Sequence, residues 1–397
     1  MGLKCIECPN EALNVILLFF FIVILFYFLR YLIQITIENN SKSFFCKSDD
    51  QMIAPSTSLY LKTLIDYAQL MAITQNIPRN SPDYFKEYIN VQINSIFYIF
   101  NVISFDCFIT TQTDVKENST LFIRILFITL LPIVIVICNH TYWNIFHIRF
   151  FKNQTKEEVL SKSICSLVIS LFILHPVILD SMLKLFNCTQ INANYKATIE
   201  LTMDCYDREQ LFFVLLFAVP NTLIFCFGYP IYCWFQISKF KQDLKNNSLI
   251  IKYGFLYNGY HHQYFYWGFV KILHKTILII IAMLPIEIAI KIIIILFVLI
   301  LTVAFKKAAQ VYVHKELNNL EYNSYITALV SLVMSLYYLM SNNAIMELFT
   351  FLVALFWNVW FIFLWVSSFY RSKRGIGFSK VEPVVINMQK AYETPLE

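Results

Sequence analysis

The feature that most limits how this chain can fold is an apolar stretch of about forty residues, 265–305, interrupted at Pro285. A ~30 Å hydrocarbon core is crossed by about 20 helical residues at 1.5 Å each, so the stretch is too long for one span and suits two. Proline cannot continue a helix, and Pro285 divides the stretch into 265–284 and 286–305. A tyrosine-rich approach precedes it, carrying Tyr253, Tyr257, Tyr260, His261, His262, Tyr264, Tyr266 and Trp267. Aromatic rings with a polar tip favour the membrane–water boundary, where one end is wet and the other dry. Lys271, His274 and Lys275 fall in the first turns of the span, close enough to that boundary to snorkel out. The expectation is a helix that enters the bilayer from the cytoplasm through an aromatic collar. Tyr257, Tyr260, Tyr266, Trp267 and Lys275 are its interfacial and gating candidates.

Composition agrees with a membrane protein. Hydrophobic residues make up 58% of the 397 and charged residues 14%, against roughly 25% charged in soluble domains. Further apolar segments lie at 12–35, 121–138, 160–179, 211–235, 325–340 and 345–365, and 88–108 reads as an interfacial helix. Segment 58–72 is weaker, because it carries Lys62, Asp66 and Gln69, and by hydropathy alone it could lie on the surface.

Charge decides that segment. If 58–72 crosses, the basic groups Lys42 and Lys47; Arg149, Lys152 and Lys156; Lys239, Lys241, Lys245 and Lys252; Lys306, Lys307 and Lys315; and Arg371, Lys373 and Arg374 all fall on one side. The other side then holds Asp83, Glu87, Asp106, Asp114, Glu117, Glu200, Asp204, Asp207 and Glu209. Basic loops stay cytoplasmic, so the expected fold is an all-α polytopic bundle of about nine spans, with the N-terminus outside and the C-terminus cytoplasmic. Residues 1–11 then form an extracellular remnant, 12–370 the transmembrane domain and 371–397 a cytoplasmic tail.

This sidedness places Cys188 and Cys205 in one outside loop and Cys107 in another. A Cys188–Cys205 bridge fits an oxidising face, with Cys107 bridging to either one as the rival and three free thiols as the third option. Cys138, Cys165, Cys226 and Cys233 lie in or beside spans and read as small apolar packers.

No catalytic motif is present: GxSxG, HExxH, the P-loop and GxGxxG are all missing, and Gly numbers only 7. The expectation is a protein that is not an enzyme, with no cofactor, no metal and no nucleic-acid partner. His261 and His262 are adjacent without cysteine or carboxylate neighbours, so two loop histidines are expected there rather than a metal site. Ionisable residues within spans remain as functional pointers. Asp66 and Gln69 share a helix face, Glu287 and Lys291 are one turn apart, and so are Lys271 and Lys275. One reading is a polar path through Asp66, Gln69, Glu287 and Lys291 for an ion or a lipid head group. The other is charges that pair locally or snorkel and so fix helix depth, and this is favoured for Lys271, Lys275, Arg124 and Glu287.

The ordered marks along the chain resemble a known type. They are Cys5 and Cys8 before the first span, Asp66 with Gln69, Asp106 with Cys107, the Phe-Asn-Cys of 186–188, Cys205, the Leu-Tyr-Asn-Gly-Tyr of 256–260, Tyr266, Trp267, Lys275 and 317–321. This series resembles the multi-pass module that ends large cysteine-rich surface proteins of ciliates and other protists. More distantly, it is similar to the fungal TRP-like channel and flavin-carrier family. The resemblance implies a channel or sensor of the plasma or ciliary membrane, with endomembranes as the alternative. It also implies a lipid-bilayer setting and homo-oligomers or membrane proteins as partners. The family usually has an acidic residue after the Trp, where this chain has Gly268. The turns at 284–285 and 340–344 are too short for a re-entrant pore loop, so any conduction is expected to run between helices. A lipid or small-solute transporter and a non-conducting receptor or scaffold are the alternatives.

Overall fold

The computed structural model describes residues 11–45, 57–75, 117–150, 156–191, 194–198, 203–239, 247–340 and 343–374. The expected interfacial helix at 88–108, together with Cys5, Cys8, Cys107 and most of the tail, lies outside them. The helices are α1 (Glu11–Phe45), α2 (Thr57–Gln75), α3 (Glu117–Phe150), α4 (Lys156–Phe186), α5 (Arg208–Lys239), α6 (Asn247–Tyr257), α7 (Trp267–Met283), α8 (Ile288–Ala308), α9 (Lys315–Met340) and α10 (Ala344–Arg374). A small antiparallel hairpin, β1 (Cys188–Ile191) and β2 (Asn194–Ala197), adds a detail that the all-α expectation lacks.

Seven of these helices, α1, α3, α4, α5, α7, α8 and α10, are long and apolar enough to cross a membrane, which marks the protein as membrane-embedded. The bundle turns apolar side chains outward and buries a set of charged ones within a largely apolar core. Ile293, Phe297, Ile300 and Leu301 of α8 and Phe356, Val359 and Phe363 of α10 are exposed, while Lys62, Lys271, Lys275 and Glu321 are buried. Water would penalise such an outer surface, whereas lipid does not. Two further helices, α2 and α9, are long but polar, and they sit against their neighbours instead of facing outward. Nearly every position of α2 from Ser58 to Thr74 is buried or half-buried, and it packs on α1, α4, α7, α9 and α10.

Proline marks the α7–α8 turn, α4 and α5. The α7–α8 hairpin breaks at Pro285, with the Leu284 N–H closing the end of α7 on the Ile281 carbonyl at 3.3 Å. In α4, Pro176 lies inside the helix and so leaves the Phe172 carbonyl without its usual i+4 donor. In α5 the chain winds wider at Val214–Ala218 and Thr222–Gly228, two π-helical stretches on either side of Pro220.

The aromatic approach and the span that follows are separate elements, not one entering helix. α6 ends at Tyr257, Gly259 turns the chain with φ of +88°, a single turn covers His262–Tyr264, and α7 starts at Trp267. Only glycine adopts that φ readily. At Gly268 any Cβ would collide with the Leu256 carbonyl, so the end of α6 lies directly on the start of α7.

The two ends of the bundle differ. One gathers the starts of α2, α7 and α9 with the ends of α6, α8 and α10: the Tyr60 hydroxyl donates to Glu316 Oε2 at 3.0 Å, and Trp365 Nε1 donates to the Tyr60 carbonyl at 2.9 Å. The opposite end holds the β-hairpin, the Cys188–Cys205 disulfide and the α7–α8 turn, joined where Asn187 Nδ2 donates to the Met283 carbonyl at 3.0 Å.

Candidate functional site: a buried lysine–carboxylate cluster

The site begins with Asp66, in the middle of α2. Its two oxygens meet two lysines from successive turns of α7, Lys271 Nζ at 2.9 Å and Lys275 Nζ at 2.5 Å. The spacing follows from helix geometry, since residues four apart stand on one face. Gln69, one turn along α2, shares that face: its side-chain oxygen accepts from Lys275, and its amide donates to the Ile173 carbonyl at 3.0 Å and the Phe172 carbonyl at 3.3 Å. Phe172 is the residue whose carbonyl Pro176 leaves unpaired, so Gln69 restores the bond that proline removed.

Glu321, in the second turn of α9, extends the cluster. Its Oε1 lies 2.6 Å from Lys271 Nζ and 2.7 Å from Lys306 Nζ, at the last turn of α8. Lys271 therefore has three acceptors for its three donors, Asp66, Glu321 and the Tyr312 oxygen at 2.8 Å. Lys62 points the other way and donates to the Phe255 and Leu256 carbonyls at 2.6 and 3.2 Å. These are last-turn carbonyls of α6, the negative end of a helix dipole, which favours a cation there.

Aromatic rings roof the charges. Lys62 stands 4.8 Å from the Tyr260 ring centre, Lys271 5.1 Å from Tyr312, and Lys306 4.9 Å from Trp267 and 4.6 Å from Tyr325. Such contacts grow stronger away from water. Tyr260 and Tyr312 pair with each other at 4.8 Å in the turns before α7 and α9. Burial pushes both phenols well above their ordinary range, so they act as neutral hydroxyls.

The aromatic collar is thus turned inward. Tyr257, Tyr260 and Trp267 are buried, and only Tyr266 is exposed, at 37%. Lys271 and Lys275 do not snorkel either: they are 2% and 3% exposed and pair across helices. A long side chain near a span end snorkels when it has no partner at depth, and here Asp66 supplies one. Asp66, Gln69 and Lys275 come together, but Glu287 and Lys291 do not join them. Glu287 is exposed at the start of α8, and Lys291 donates to the Ala282 carbonyl at 3.2 Å, beside the opposite end of α7. His261 and His262 are exposed in the turn ahead of α7.

Sequence reading missed Lys62, Lys306, Glu321, Tyr312 and Tyr325 as members of the site. Lys306 reads as one of a loop pair with Lys307, and Glu321 as the end of a short mark. The signal that could have found them is stoichiometric: carboxylates at depth need cations, and α7 offers two lysines one turn apart.

A separate polar seam runs further along the bundle. The Tyr67 hydroxyl donates to Asn358 Oδ1, and Asn358 Nδ2 donates to Ser331 Oγ at 3.1 Å, joining α2, α10 and α9.

In comparison with known proteins, the chain is similar to Cysteine repeat modular protein A of Toxoplasma gondii, at 28% identity over 120 residues. The match covers 28% of this chain and 4% of the Toxoplasma protein. No family model matches the chain, and no solved structure does.

Proposed function

We propose that the chain is a multi-pass module of the cell surface, of channel or sensor type, and that the lysine–carboxylate cluster is the latch that holds it closed. One observation carries this reading: five charges from four helices, α2, α7, α8 and α9, pair in an unbroken chain inside one end of the bundle, with Lys62 beside them on the α6 carbonyls. Taking an ion pair out of water is costly, and such pairs are most readily understood where they fix one arrangement against another. A latch of this kind lets a small displacement of α2 free Lys275 and one side of Lys271 on α7, which shifts the balance of the Lys271–Glu321–Lys306 chain that ties α7 to α9 and α8. Support for the membrane class comes from the seven apolar helices, for kinship with a cysteine-repeat protein from the Toxoplasma match, and for the surface setting from the resemblance of the ordered sequence marks. The channel type rests on the sequence resemblance.

In this reading α2 and α9 also cross the bilayer, giving nine spans, because both lie inside the ring of apolar helices. The cluster end faces the cytoplasm, since Lys307, Lys315, Arg371, Lys373 and Arg374 are exposed around it, and the disulfide faces outside. The plasma or a ciliary membrane is the setting that fits a disulfide on the outer face.

Planar-bilayer recordings of the purified protein test the proposal. A latch predicts that Asp66→Asn and Glu321→Gln raise the open probability and leave unitary conductance unchanged. A drop in unitary conductance instead would make these carboxylates part of the conducting path. Lipid scrambling without current would make the protein a transporter, and silence in both assays a receptor or scaffold.

A further inference from the structure

The charges in the cluster do not balance. Four lysines, Lys62, Lys271, Lys275 and Lys306, face two carboxylates, Asp66 and Glu321, within the bundle. Partner by partner, three of the lysines are well served. Lys62 rests on two carbonyls at the negative pole of α6, Lys271 has three acceptors, and Lys275 has Asp66 and Gln69. Lys306 has only Glu321 Oε1, which it shares with Lys271, and the faces of Trp267 and Tyr325. Beside it the indole N–H of Trp267, 4% exposed, has no hydrogen-bond partner among the described residues. A surplus of positive charge and a buried donor with no acceptor thus occur together at the last turn of α8.

We infer that this corner binds a phosphate-class oxyanion, held by the Lys306 ammonium and the Trp267 N–H. An oxyanion offers several acceptor oxygens to donors on different helices, and one or two negative charges match the surplus. Access is from the cluster end, where exposed Lys307, Lys315, Arg371, Lys373 and Arg374 make the surface attractive to anions. A lipid head group at an anionic leaflet and free phosphate share this chemistry. The site belongs to the same cluster as the proposed latch, but its occupancy is read without any current, so either reading can fail alone.

Thermal unfolding of the purified full chain tests it, in detergent with and without inorganic phosphate and in phosphatidylcholine vesicles with and without phosphatidic acid. The melting temperature is expected to rise with the anion. Lys306→Met should weaken apparent affinity about tenfold, the loss of one charged hydrogen bond. Trp267→Phe removes the N–H along with part of the buried ring that stacks on Phe305, so its melting temperature without anion serves as its own baseline, and its rise on adding anion should be smaller than the parent's. Stabilisation by phosphatidic acid alone would identify a lipid head group, and stabilisation by phosphate a soluble oxyanion. No stabilisation of the parent by either, or a response unchanged in both variants, would overturn the inference.

Discussion

At the scale of single residues, Asp66 decides most. It accepts from two lysines and is the carboxylate partner that Lys275 has, while Lys271 shares it with Glu321. Asp66→Ala is expected to cost about 3–5 kcal/mol, the usual penalty for stranding a buried charge. Adding Lys275→Met to Asp66→Ala should recover part of that loss, because fewer charges are then left alone. The check is a melting-temperature series on the three proteins, and a double variant less stable than Asp66→Ala would contradict the pairing. Gly268 makes the complementary point, since it stands where the sequence resemblance leads to the expectation of an acidic residue. The backbone of Leu256 occupies the space a side chain would need, and Lys271 takes its carboxylates from α2 and α9. Gly268→Ala should destabilise by about 1–3 kcal/mol through overpacking, read in the same melting assay. Asp66 is visible in the sequence as a charge at depth, and Lys275 as a basic residue near the start of its span. Their pairing is not, because residues 66 and 275 meet only once the chain has folded back on itself.

At the scale of elements, α2 and α4 depend on each other through one missing hydrogen bond. Pro176 frees the Phe172 carbonyl and Gln69 takes it up, so the cost of Gln69→Leu should fall when Pro176→Ala returns a backbone donor to α4. A double-mutant cycle should show a coupling of about 0.5–3 kcal/mol, and strict additivity would rule the link out. The hairpin at the other end is held by Cys188–Cys205, 17 residues apart. Cys188→Ser should cost about 3 kcal/mol and lower the melting temperature to that of the reduced parent. Long apolar runs announce their helices, as with 265–284 and 286–305, because hydropathy and Pro285 are local properties. The ends are less legible: α9 starts at Lys315, ten residues before the expected span, and α10 runs to Arg374, past the boundary expected at 371. Those turns lie beyond the apolar windows, and packing within the bundle extends them. The inward turn of Tyr257, Tyr260 and Trp267 was equally hidden, since aromatic residues suit a wet boundary and a cation-bearing core alike.

At the scale of the molecule, a largely apolar interior encloses a concentrated set of polar and charged groups, many of them carried by α2 and α9. α2 and α9 carry many of the groups that lipid would reject, the apolar α4 is the most deeply buried of the seven long apolar helices, and α1, α8 and α10 turn apolar faces outward. The basic residues then collect at the cluster end and the disulfide at the other, and this polarity gives the latch its proposed side. The central claim is that α2 passes through the bilayer with Asp66 at depth. Membrane-impermeant thiol labelling of intact cells, with single cysteines placed at Ser43 and Ser81 on a cysteine-depleted background, tests this most directly. The account predicts that Ser81→Cys labels from outside and Ser43→Cys only after the membrane is opened. Labelling of both from the same side would contradict it.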